Sequence, residues 1–172
     1  MSDARLCMLN VLKIERGDLV LSKEQSPTSW ILRKISKSQW SHVGIYDGRG
    51  KVISAVPFKG VVYKSYGDMF SKCTNVGVYR VKGLSVEKAD KVIEFCEKHK
   101  DTKYDFMQAA VLGWRILTKS LKTNTGDPNP NNFVCSELVA EAFESVGVSF
   151  ARIADNVLPV TIEKSNLVRR II

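Results

Sequence analysis

The sequence predicts an α+β fold in which an antiparallel β-sheet packs against helices. Two observations carry that expectation. The first half of the chain holds several short β-rich runs joined by glycine-containing turns, and the second half holds amphipathic patterns of helical period. With 172 residues, 44% of them apolar and 9% aromatic, residues 1–172 are expected to form a single domain with a sizeable core.

In chain order, GDLVLSK from Gly17 reads as a short buried strand entered through a turn, and Ser29 to Lys37 as an amphipathic helix initiated near Pro27 and Thr28. The clearest hairpin follows, with Ser41 to Tyr46 and Lys51 to Val56 flanking Asp47-Gly48-Arg49-Gly50. Side-chain alternation puts His42, Gly44 and Tyr46 on one face and Val43 and Ile45 on the other. A three-residue loop, Asp47-Gly48-Arg49, pairs Tyr46 with Gly50 and sets His42 directly opposite Ser54. A four-residue loop would turn Ser54 to the opposite face. Gly60 to Lys64 and Asn75 to Val81 read as further strands of an antiparallel meander, with a short helix or turn over Tyr66 to Lys72. Ser85 is an N-cap for a helix whose buried stripe is Val86, Ala89, Val92, Ile93 and Cys96, ending near His99. A more apolar helix is expected from Tyr104-Asp105 through Ile116, and an Asn/Pro/Gly-rich loop from Lys119 to Asn132. A helix from Cys135 to Val146 stops at Gly147. Val160 to Lys164 reads as a helical turn and Leu167 to Ile172 as an edge strand.

The N-terminus has no apolar run long enough for a signal peptide and no stretch approaches the length of a membrane span, so a cytoplasmic location is expected. Cys7, Cys73, Cys96 and Cys135 have neither zinc-ligand nor disulfide-framework spacing, and no cofactor or metal is expected. The net charge of +8 would draw the protein towards an anionic polymer or lipid surface. The basic residues are scattered and no nucleic-acid motif accompanies them, which argues against nucleic acid as the partner.

Cys135 begins a helix whose Leu138, Val139, Ala142 and Phe143 face the core while Glu137, Glu141 and Glu144 face away. Free N–H groups and the positive end of the helix dipole favour a thiolate there and can hold a neighbouring oxyanion. The same position also suits a small buried apolar cysteine. A thiol nucleophile needs a base, and the chain has two histidines. His99 ends a helix, where a basic residue complements the dipole. His42 sits mid-strand, where propensity gives no reason for it, and is the candidate base. Of the four thiols, Cys135 is therefore expected to alkylate fastest near neutral pH, and His42→Ala is expected to slow it.

Taken together, WSHVGIYDGRGKVISA, the GVV segment, Tyr104-Asp105 and FVCSELVAEAF resemble the permuted papain-like cysteine amidases of the YiiX/YebB-like group, within the NlpC/p-sixty superfamily. The resemblance runs from Gly17 to about Pro159, and its histidine-before-cysteine order implies a circularly permuted papain-like (NlpC-type) fold. It implies Cys135 as nucleophile and His42 as base. The third residue that orients the imidazole is usually Glu or His in these families; the corresponding position here is Ser54, whose neutral hydroxyl would stabilise imidazolium less than a carboxylate. The implied activity is cleavage of an amide or isopeptide bond in a peptide, small-molecule or acylated substrate. A lipid-directed thioester acyltransferase of the lecithin:retinol acyltransferase-like type would use the same dyad, although the NCEHF motif of that group is missing. A binding module on the same scaffold is the reading without catalysis.

Overall fold

The computed structural model describes residues 13–56, 59–73, 75–100, 135–151 and 157–172. Cys7, the helix expected from Tyr104 to Ile116 and the loop expected from Lys119 to Asn132 lie outside the described residues. The elements in chain order are β1 (Leu19–Lys23), α1 (Pro27–Ser36), β2 (His42–Tyr46), β3 (Lys51–Val56), β4 (Gly60–Ser65), α2 (Tyr66–Lys72), β5 (Asn75–Val81), α3 (Val86–Lys98), α4 (Cys135–Glu144), α5 (Pro159–Glu163) and β6 (Val168–Arg170). Local chemistry explains several of their ends. The hydroxyl of Ser26 accepts from Ser29 N at 3.1 Å and that of Ser85 from Lys88 N at 3.3 Å, each satisfying a free donor at the start of a helix. Beyond α4, Gly147 takes a positive φ of 80° and Val148 N donates back to Phe143 O at 3.0 Å, which closes the helix.

Among the described residues, six strands form one antiparallel sheet in the order β4-β3-β2-β1-β5-β6. The first four meander as the sequence suggests, but β5 does not continue beside β4. It returns to pair with the free side of β1, from Leu19↔Tyr79 to Lys23↔Asn75. Helix α2 explains the crossing: Tyr66 and Met69 are buried against Val20, Tyr46, Val52 and Val78 on one face of the sheet, so the chain is carried over that face to the far side of β1. The opposite face, with Leu19, Leu21, Val43, Ile45 and Ile53, forms the larger core with α3 and α4. Val92, Ile93 and Cys96 of α3 and Leu138, Val139, Ala142 and Phe143 of α4 supply its helical side.

The hairpin register differs from expectation by two residues. Ile45 pairs with Ile53 and Tyr46 with Val52, so the loop is Gly48-Arg49-Gly50 and Asp47 belongs to the ladder. Asp47 causes this: its N–H donates to Lys51 O at 2.9 Å, while its Oδ1 accepts from Arg49 N at 2.7 Å and Lys51 N at 2.9 Å. The side chain thereby binds the turn it precedes. Gly48 and Gly50, at φ 78° and 85°, take the left-handed positions that such a loop requires. Continuing the register sets Ser54 opposite Gly44 instead of opposite His42. A Cβ on Gly44 would lie 3.1 Å from Ser54 Cβ and 2.5 Å from Val52 Cγ1.

Candidate active site

His42 opens β2 and is 4% exposed; its cross-strand partner on β1 is Ser22. Cys135 opens α4 and is 6% exposed, and its helix packs on β2 and β3. The paired register of β2 with β3 ends at Ile45↔Ile53, short of Val43 and His42. The N–H groups of Val43 and of Ser136, in the first turn of α4, lie near enough to the Cys135 sulfur to lower its thiol. The candidate nucleophile is thus seated against the backbone of the residue next to the candidate base. Val43 shares the large core with Cys135, whereas alternation sends the His42 side chain towards the other face.

Electrostatics here oppose the sequence expectation of a reactive thiolate. Burial pushes the Cys135 thiol up to about 11; the N–H groups of Val43 and Ser136 pull it down, Glu24 adds to the rise and Lys64 opposes it. Burial likewise lowers His42 from 6.5 to about 4, with Glu24 raising it and Lys64 lowering it further. Near neutral pH both groups are therefore uncharged, with the proton on sulfur. The helix terminus does favour a thiolate, but removing the sulfur from water costs more than two N–H donors return.

Ser54 is fully buried and lies on the His42 face, one diagonal step away rather than directly across. Its Oγ and His42 Nε2 are both without a hydrogen-bond partner, so the expected orienting bond is not made. The physical reason is the register: Asp47 joins the ladder, which moves Ser54 from the expected place opposite His42 to one beside Gly44. Ser22 Oγ on β1 is also buried without a partner of ordinary hydrogen-bond geometry, although it lies near enough to the Cys73 thiol to lower it. Burial is the larger influence on Cys73 and raises it. Three consecutive strands therefore present Ser22, His42 and Ser54 on one face, each with an unpartnered buried polar atom.

Glu24 and Lys64 complete the surroundings, and no sequence motif pointed to them. They form an ion pair of 3.5 Å, each side chain about one-third exposed, between the end of β1 and β4. Ser22 could have been found only from the register of β1 with β2. Glu24 and Lys64 lie 40 positions apart and have no local signature. His99 is structural, as its position suggested: Nδ1 lies 2.8 Å from Phe95 O and the ring lies against Phe95. A surface cleft of about 750 Å³ lined by residues including Arg16, Asp47, Arg49 and Tyr63 includes neither His42 nor Cys135.

Comparison with known proteins adds to this geometry. Residues 13–155 match the family described as permuted papain-like amidase enzyme, YaeF/YiiX, C92 family. The chain is 28% identical over 159 residues to the Escherichia coli (strain K12) protein named "Probable lipoprotein peptidase YaeF", a match covering 78% of this chain and 57% of that protein. It thus spans little more than half the length of that relative. The structure titled "Crystal structure of metalloprotein yiiX from Escherichia coli O157:H7, DUF1105" has the same fold, with a TM-score of 0.73 over 93% of this chain and 97% of that one at 16% identity. Among the described residues of the present chain, no three His, Cys, Asp or Glu side chains are grouped so that they could hold a metal ion.

Proposed function

This chain belongs to the permuted papain-like amidase family, and from that premise we propose that it is a cysteine hydrolase cleaving an amide or isopeptide bond, with Cys135 as nucleophile and His42 as base. The observation that carries the reading is the place of Cys135, buried as the first residue of α4 where that helix packs on β2, the strand that His42 opens. Because the resting pair is neutral, proton transfer accompanies attack: His42, the first residue of β2 and beyond its registered pairing with β3, takes the thiol proton around the end of the strand as sulfur bonds to the carbonyl carbon. The oxyanion is held by N–H groups at the start of α4. Collapse expels the amine, which leaves with the proton from His42, and a thioester remains on Cys135. Water, deprotonated by His42, then attacks the thioester, and the acid is released with the thiol restored. Ser54, one diagonal step from His42 on the same face, makes no bond to the imidazole in this scheme.

Incubation with a panel of peptides and N-acyl amines tests the proposal. Hydroxylamine should trap an acyl group from the wild-type protein, and Cys135→Ala should abolish both trapping and turnover. Turnover that survives in Cys135→Ala would remove the cysteine mechanism. The unpartnered Nε2 of His42 favours one second reading, a binding module on this scaffold. In that case the panel yields binding without cleavage in both proteins.

A further inference from the structure

We propose that the Glu24–Lys64 ion pair is a substrate-recognition element, in which Lys64 receives a carboxylate that the substrate carries next to the scissile bond and Glu24 is displaced from it. The inference deepens the hydrolase reading and rests on it. Its geometric basis is independent of titration. Glu24 follows β1 directly, and its N–H donates to the hydroxyl of Ser41, the residue before His42, at 3.0 Å. Arg33 Nη1 holds the Glu24 carbonyl at 2.8 Å, so the backbone that bears the carboxylate is fixed on both sides. Lys64 pairs across β4 and β3 with Val52, and Val62 with Ser54, which places Lys64 on the His42 and Ser54 face of the sheet. From β4 its ammonium reaches Glu24 at 3.5 Å, so the pair joins two strands that have β3 and β2 between them.

Two further features point to exchange instead of a permanent structural bond. An ion pair at this distance with both side chains about one-third exposed contributes little to stability, so giving it up for a substrate carboxylate costs little. The Lys64 ammonium already faces a carboxylate, that of Glu24, so an incoming carboxylate presents the same chemistry. The displaced Glu24 remains beside the strand that bears His42, where its charge favours the imidazolium formed when the thiol proton moves.

Two haloacetyl reagents of similar size read the charge at this place. Cys135 is alkylated near pH 9 with anionic iodoacetate and with neutral iodoacetamide, and the labelled site is mapped by peptide mass. The rate ratio of iodoacetate to iodoacetamide should fall at least about threefold in Lys64→Met and rise at least about threefold in Glu24→Gln, as expected for one unit charge several ångströms away through a largely wet path. Normalising each variant by its own iodoacetamide rate cancels changes in thiol exposure or acidity. A second readout needs no thiol reaction. N-acetylglycine, a carboxylate beside an amide, should shift the His42 ring resonances of the wild type at millimolar concentration, whereas N-acetylglycinamide should not, nor should either compound in Lys64→Met. Equal ratios in all three proteins, or identical responses to the two glycine compounds, overturn the proposal. Both readouts report charge and binding at this place and neither measures amide cleavage, so a failure of the hydrolase reading would leave this outcome separately legible.

Discussion

Alkylation of Cys135 should follow the titration of a buried neutral thiol rather than that of a thiolate–imidazolium pair. Its pKa lies at about 11, against 9.0 for an unperturbed thiol. At pH 7 about one molecule in ten thousand therefore carries the thiolate, some hundredfold fewer than for an ordinary exposed cysteine. The rate with iodoacetamide should accordingly be low at neutral pH and climb about tenfold per pH unit to near pH 10. Low exposure of the sulfur scales the whole curve down without changing its slope. His42, at about 4, is uncharged throughout this range. His42→Gln, which keeps a side chain of similar size, should therefore leave the slope unchanged. The assay is stopped-time labelling from pH 5 to 10 with mass mapping of the Cys135 peptide. A rate that is flat from pH 5 to 8 and collapses in His42→Gln would show a pre-formed ion pair, and the argument from burial would be refuted.

Three other consequences can be measured. Folded His42 is depressed from 6.5 to about 4, so the unfolded chain binds the proton more readily, and stability present above pH 6.5 is lost as pH falls through 4. The loss is roughly 3 kcal/mol, read as the difference in urea unfolding between pH 7 and pH 4, and His42→Gln should lack that part of it. Gly44→Ala should destabilise the protein by about 1–3 kcal/mol in the same assay, because the new Cβ meets Val52 Cγ1 at 2.5 Å and Ile53 O at 2.8 Å; an unchanged midpoint would show that β3 gives way freely. Ser54→Ala removes a buried hydroxyl that has no partner, so stability should be unchanged or higher by up to about 1 kcal/mol, and turnover should change little. A clear loss in both would mean that the hydroxyl is bonded during the reaction.

Most of the secondary structure was legible because its signals are local. The alternation in Asn75 to Val81 marks β5 to the residue, Ser85 caps α3, and the apolar stripe of Leu138, Val139, Ala142 and Phe143 is buried as expected, although Glu137, expected to face away from the core, is buried too. The order of His42 and Cys135 and their strings were enough to recognise the permuted papain-like family, and the family match agrees. Apart from the order of the two strings, each of these features depends on residues within a few positions of one another. What depends on distant parts of the chain had to come from the tertiary structure. The sequence placed β5 beside β4 because connected strands usually pair, whereas the apolar side of α2 carried it past three strands to β1. It placed Ser54 opposite His42 by counting loop residues, whereas the three hydrogen bonds at Asp47 moved the register by two. The helix N-terminus at Cys135 suggested a thiolate, but the cost of burial is summed over β2, β3 and α4 together and exceeds that favourable local field. Glu24 and Lys64 meet only because the intervening strands fold between them. Pattern within one element could therefore determine where helices and strands lie and which side chains they carry, while registry, burial and long-range charge determined the protonation state in which those side chains rest.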